Sequence, residues 1–336
     1  MSAMIIFCSL TQVKAQTLYV DAVKGKDDGN GSITSPLKNL EKAIAITNTY
    51  SGHQVVHIKL APGLYTITHL LNIKTALAKK DIMPYTIEAT IMPDDASWQP
   101  ASMPIIQSVG GNNMNDEFNH CVALLILKDN VSIKGIKFIG NPNPAVNDYY
   151  PIRRIDESLS GLTVSQCYFI GEKNSAPIQS AFWTNGLNIK VEHCIFYNCK
   201  NALVLGHSIN GFSLTYTIIS GSYESAIWFG AKGAPFTFNH NVVTNCNFLM
   251  VHRENGQPNY TISDSYITGN DHYLGYYNEA QDHLFATPTT NIKEVNIGKT
   301  GKIVLVPVKT EGMPHNYLNL DPTSDGRSTM AGIFKK

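Results

Sequence analysis

Residues 211–270 contain nearly the same phrase three times: FSLTYTIISGS (212–222), FTFNHNVVTNC (236–246) and YTISDSYITGN (260–270). Phe212, Phe236 and Tyr260 open the copies, at intervals of 236−212 = 24 and 260−236 = 24. Each copy reads apolar-x-apolar, two polar residues, a small or apolar residue, x, apolar, x, then Gly or Asn. Two short alternating strands with a tight bend between them fit that pattern. Such a pair cannot bury its own apolar face, so it must stack on another copy, and a period in the 20s means a solenoid or propeller.

The frame extends backward through VSIKGIKFIG (131–140), LTVSQCYFIG (162–171) and IKVEHCIFYN (189–198). The closing column is then Gly140, Gly171, Asn198, Gly221, Asn245 and Gly269. Gly and Asn enter the left-handed region at least cost, so the column predicts one αL bend per coil. Short parallel strands joined this way make an all-β, right-handed parallel β-helix.

Around this core the chain reads as one domain. Of 336 residues, 43% are hydrophobic, enough for one large core. Net charge is zero and charged residues are 15%, so no global field recruits nucleic acid or a membrane. Residues 1–16, MSAMIIFCSLTQVKAQ, are expected to be a secretory signal, with an apolar stretch from Met4 to Leu10. It lacks a positive n-region, and no anchor is expected at Cys8. Export to the periplasm or outside a bacterial cell follows from that reading, with no membrane insertion. A helix over 35–48, with Ser35 as N-cap and Pro36 first, is expected to cap the open end. Regular coils are expected over 131–283 and closing strands over 284–336, in a monomer spanning 17–336. NPNPAVNDYYPIRRIDESLS (141–160) breaks the period and reads as a projecting loop, whose Arg153 and Arg154 would meet an acidic polymer. Of the five cysteines after position 16, Cys167 and Cys194 share one repeat column and Cys199 and Cys246 another, and all five, Cys121 included, are expected as buried thiols.

Two resemblances follow from these motifs. Tyr19-Val20-Asp21, a Gly/Asp loop, Ser35-Pro36-Leu37, a helix and then VVHIKLAPGLYTI (55–67) resemble the opening coils of secreted bacterial pectate-lyase-like β-helix proteins. KGAPFTFNHNVVTNCNFLMVHRENG (232–256) resembles the catalytic coils of the lyase family that contains chondroitinase B and many alginate lyases. That resemblance implies Lys232 as base, an Asn245-Cys246 turn, and Arg253 as partner to the substrate carboxylate or leaving group. It also implies carboxylates just before the Lys to hold Ca²⁺, where this chain has Ser225 and Ile227, with Glu224 the nearest acid. Glu254 stands where the family has His. A bound metal is therefore not expected, Ca²⁺ being the ion to consider.

The chemistry fits the pairing. Breaking a uronate chain by β-elimination needs a base for the C5 proton and positive charge against the developing enolate. His207, Trp228, His252, Glu254, Tyr276 and Tyr277 fall on the same coils and are candidate substrate contacts, with Trp183 nearby. The competing reading makes Lys232 and Arg253 solvated turn residues on a non-catalytic, glycan-binding or surface β-helix. A hydrolase would need two carboxylates across a sugar, and the Asn-Thr-Asp and Gly-His-Gly signatures of polygalacturonase relatives are absent.

Overall fold

The computed structural model describes residues 15–51, 54–77, 81–114, 119–230, 236–253, 260–288, 292–310 and 312–335. The repeat becomes a right-handed parallel β-helix: 25 strands among the described residues join in one continuous sheet. Successive copies pair in the register the period requires. Ile133, Val164, Val191, Leu214, Phe238 and Ile262 stack as one buried column. Phe138, Phe169 and Phe196 stack in a second, with ring centroids 4.9 and 5.0 Å apart and planes within 3° and 6° of parallel. That spacing is the separation of paired strands, so like residues meet face to face from coil to coil. No described helix is long and apolar enough to cross a membrane.

The bends are more numerous than one per coil. Asn198, Gly221, Asn245 and Gly269 have φ between 54° and 73°, as the closing column predicts. Gly140 and Gly171 do not adopt positive φ. They are glycine because backbone comes close: an added Cβ would lie 1.7 Å from the Ala176 carbonyl oxygen and 2.6 Å from that of Asn198. A second αL column falls at the fifth position of each copy, at Gly135, Gln166, His193, Tyr216, His240, Asp264 and Asn296. Bulky residues resist that region by about 1–2 kcal/mol. Here the Tyr216 ring lies between the His193 and His240 rings, at 4.8 and 4.7 Å, so stacking offsets the strain. A third column precedes the first strand, at Asn130, Gly161, Asn188 and Gly211.

In that third column and at 198–269, Asn and Gly alternate for a steric reason. Each Asn amide oxygen lies under the next glycine, so a Cβ on Gly221 would meet Asn198 Oδ1 at 2.4 Å. Gly221→Val should therefore destabilise the chain by roughly 2–3 kcal/mol, from αL strain and this clash. Asn198→Gly should be nearly neutral. An unchanged melting temperature for Gly221→Val would sink the assignment.

Three expectations on the flanks are corrected. The capping helix is Leu40–Thr47, with Asn39 as N-cap accepting from the Lys42 amide at 2.9 Å. Ser35 does not cap it because Leu37 is held extended, its amide bonded to Tyr19 and its carbonyl to Asp21. The helix still buries Leu40, Ala43, Ile44 and Thr47. Within 141–160, Tyr149–Arg154 is a strand of the sheet, paired with Cys121–Ile126 and Ser180–Glu192 and buried at every position. Pro151 concealed it, because proline cannot donate to a ladder. Arg154 does not project: its Nε donates to the Asn185 carbonyl at 2.8 Å, and burial lowers its pKa to about 10.

Among the described residues, the closing strands are His283–Ala286, antiparallel to His272–Asn278, and Ile292–Gly298. Among the described residues, the segments before and after Gly312 meet at an isolated bridge, Leu305 with Leu320, flanked by backbone hydrogen bonds of Val306 with Leu318 and Asn319. Residues after 298 run as a strap over an outward column formed by Tyr168, Ile195, Ile218 and Val242, all 0% exposed. The strap is tied down by Tyr168 Oη donating to the Tyr317 carbonyl (2.7 Å) and Gln166 donating to that of Ile333 (2.9 Å).

The five described cysteines are free and buried. Burial raises the Cys199 thiol to about 12 and Cys246 to about 11, so both stay protonated and inert at neutral pH.

Candidate functional site

The outer strands of successive coils, Tyr149–Arg154, Ser180–Glu192, Asn201–Asn210, Ser225–Phe229, Phe248–Arg253 and His272–Asn278, form one wall of the solenoid. Because side chains alternate across a strand, one column points outward: Arg153, Trp183, Val204, Trp228, Val251 and Gly275. Over it lies an open cleft of about 680 Å³. Trp183, Trp228 and Tyr277 line it, with Trp228 and Tyr277 at 5.7 Å and 59°. Trp183 is held from behind, the Arg153 guanidinium carbon lying 4.1 Å from its ring centroid. Arg153 Nη1 is in turn close to His120 Nε2. Buried cation–π contact of this kind fixes the indole plane. Arg153 thus supports an aromatic wall from within the fold and is not presented to solvent.

One edge of the cleft is a hydrogen-bonded polar ridge. Gln179, with its amide oriented to satisfy both neighbours, donates to Asp148 Oδ1 at 3.0 Å and accepts from Lys200 Nζ at 3.2 Å. Lys200 Nζ lies 3.2 Å from Glu224 Oε2, and Asn201 donates to Glu224 Oε1 at 2.8 Å. Ser225 Oγ donates to Asn201 Oδ1 at 2.6 Å. Glu224 is therefore held by an ammonium and an amide. Ser225 and Ile227 are buried in the wall. Among the described residues, no three His, Cys, Asp or Glu side chains come together as a metal-ligand set.

The candidate contacts separate into two groups. His207, Trp228, Arg253 and Tyr277 line the cleft together with Glu224. His252 and Tyr276 stand behind it. His252 is 5% exposed, its Nδ1 2.6 Å from the Arg253 carbonyl oxygen, and burial lowers its pKa. Tyr276 stacks on Phe285 at 5.4 Å. Lys232 and Glu254 lie outside the described residues.

A register detail resolves the orientation of Arg253. An interval of 24 would set Arg253 against Phe229, one coil back. In the structure Phe229 pairs with His252, an interval of 23. The slip turns His252 toward the interior and leaves the Arg253 side chain 45% exposed, where Nη1 meets Glu279 Oε1 at 2.7 Å. Beyond it, Tyr277 donates to Asp282 Oδ1 at 2.5 Å, and that bond to a carboxylate holds the phenol above its ordinary pKa.

Sequence reasoning missed Asp148, Gln179, Lys200, His272 and Asp282 as cleft residues. A signal existed for the ridge: Lys200 and Glu224 stand 24 residues apart, each immediately before an outer strand.

No family model matches the chain, and no curated protein matches it. Among solved structures, a rhamnogalacturonan lyase superposes with a TM-score of 0.52 at 13% identity, over 95% of this chain and 100% of that one. The pectate lyase Pel9A gives 0.43 at 14%, over 86% of this chain and 78% of that one. A pectin methylesterase from Aspergillus niger gives 0.38 at 10%, over 95% and 96%. At these identities the likeness is one of fold. The chain shares the parallel β-helix architecture with the first of these proteins.

Proposed function

We propose that this chain is a polysaccharide lyase that cleaves an acidic, uronate-containing glycan, such as alginate or chondroitin, by β-elimination. The observation that carries the reading is the open cleft walled by Trp183, Trp228 and Tyr277, with the Arg253 guanidinium at its edge. Indole and phenol faces suit the apolar faces of sugar rings, and polar groups between them suit hydroxyls. An exposed guanidinium suits a carboxylate, which it meets with paired donors. In this reading Lys232 removes the C5 proton. The electron pair forms the C4=C5 double bond while the C4–O bond breaks, and the departing oxygen gains a proton. Arg253 stabilises the negative charge that gathers on the uronate. Export, expected from residues 1–16, suits such a substrate.

A second reading, a non-catalytic glycan-binding β-helix, has one observation in its favour. Arg253 is already engaged by Glu279. That pair is exposed and weak, so a substrate carboxylate can displace it. Incubation with alginate, chondroitin and pectin, followed by ultraviolet absorbance of unsaturated uronates, separates the two. Absorbance growing with time supports the lyase, and silence across the panel with retained binding supports the second reading.

Calcium dependence should be weak. Ca²⁺ takes six to eight oxygens, and the positions implied for its carboxylates hold Ser225 and Ile227, while Glu224 is committed to Lys200. Chelation is expected to leave most of the turnover. Loss restored only by Ca²⁺ would contradict this.

A further inference from the structure

A second cavity of about 330 Å³ opens on the other side of the polar ridge and shares Asp148, Gln179 and Lys200 with the large cleft. Its position relative to the first follows from chain direction. Asp148, Gln179, Lys200 and Glu224 each stand one residue before the outer strand of their coil. The walls of the large cleft follow the ridge in the chain, as Trp183, Val204 and Trp228 do. The walls of the small basin precede it, as Asn147, Lys173, Asn174 and Tyr223 do. All these coils run parallel, so the two cavities lie side by side across the ridge. They are not end to end along the solenoid axis.

The ridge itself follows the axis, over coils spaced ~4.8 Å apart. A linear glycan lying along the large cleft passes beside the small basin without entering it. A ligand whose backbone lies along the large cleft and that also fills the basin must branch. The small basin has the chemistry for a sugar. Asn147, Asn174 and Gln179 present carboxamides, each able to donate and accept. The Lys173 ammonium sits 4.9 Å from the Tyr223 ring centroid, which holds it at the basin wall.

We propose that the small basin takes a sugar branch carried on the backbone that occupies the large cleft, so that the substrate class is a branched acidic glycan. The proposal rests on the reading above of an acidic, uronate-containing glycan and, within that class, favours a branched substrate over linear ones such as alginate and chondroitin, because a linear polymer lying along the large cleft would leave the basin unused. The test uses the full chain and the double variant Lys173→Ala/Asn174→Ala. Both residues are exposed, and an unchanged melting temperature certifies the fold. The probes are pectin with its neutral-sugar branches intact and the same pectin after enzymatic removal of those branches. The native chain is expected to bind the branched form roughly tenfold more tightly, about 1.4 kcal/mol. In the variant the ratio should fall toward one. A ratio of one in the native chain, or an undiminished ratio in the variant, overturns the branch site and leaves the lyase reading standing. Binding of neither pectin nor alginate nor chondroitin overturns both.

Discussion

Lys232→Ala is expected to lower turnover of the cleaved glycan by a factor on the order of 10²–10⁴, the usual contribution of a positioned general base. Glycan affinity should survive, because the aromatic walls of the cleft are formed by Trp183, Trp228 and Tyr277. Arg253→Ala should reduce both turnover and affinity, since a guanidinium at the cleft edge meets the substrate carboxylate in the ground state as well as in the transition state. Removing Arg253 also frees Glu279, its 2.7 Å partner, whose negative charge would then face the incoming uronate. Glu279→Gln in the Arg253→Ala background should therefore recover part of the lost affinity. These outcomes are read from initial rates of unsaturated-uronate formation together with direct binding by calorimetry. Full turnover in Lys232→Ala would end the proposed mechanism. If neither variant moved rate or affinity beyond the ±0.5 kcal/mol typical of surface sites, both would be solvated surface residues with no part in the chemistry.

Deleting residues 302–336 should produce a chain that aggregates or melts far below the native protein. The strap covers Tyr168, Ile195, Ile218 and Val242, four side chains with no exposure in the intact fold. At ~1.5 kcal/mol each, the low end for burying such a side chain, the loss is about 6 kcal/mol. That is comparable with the whole stability of a typical domain. The uncovered column would also be a continuous apolar ladder, a surface that soluble chains seldom leave open. Solubility, dye binding to exposed apolar surface and the melting temperature measure the effect. A soluble truncated chain with native melting would show that the strap is ornamental.

The same interface carries a pH dependence. His193 Nδ1 lies 3.2 Å from the Gly332 carbonyl, and burial lowers the His193 pKa from 6.5. Lys335 lies in the same surroundings and adds to the lowering, while Glu192 and Asp94 oppose it. A histidine with a depressed folded pKa binds fewer protons folded than unfolded. Its contribution is therefore present above about pH 6.5 and is lost as pH falls below that value.

The period of 24 in 212–270 determined the solenoid, the parallel register and the inward columns without reference to anything distant. In a solenoid each coil touches chiefly its neighbours, so local pattern and packing report the same information. The cleft aromatics were legible for the same reason: Trp228 and Tyr277 fall at repeat positions just after the inward column.

What the period could not carry are the contacts that cross it. Ile218 and Val242 occupy positions of the repeat that read as outward and unconstrained. They are apolar because a strap from far downstream lies on them, with Leu318 and Ile333 in the same cluster. Tyr149–Arg154 was hidden by Pro151, and only its neighbours on both sides hold it in the sheet. The most consequential case is the interval of 23 between Phe229 and His252. One residue fewer in a coil reverses which side chains face out, because strand side chains alternate with a period of two. That slip, set by the stacking of neighbouring coils, buries His252 and delivers Arg253 to the cleft.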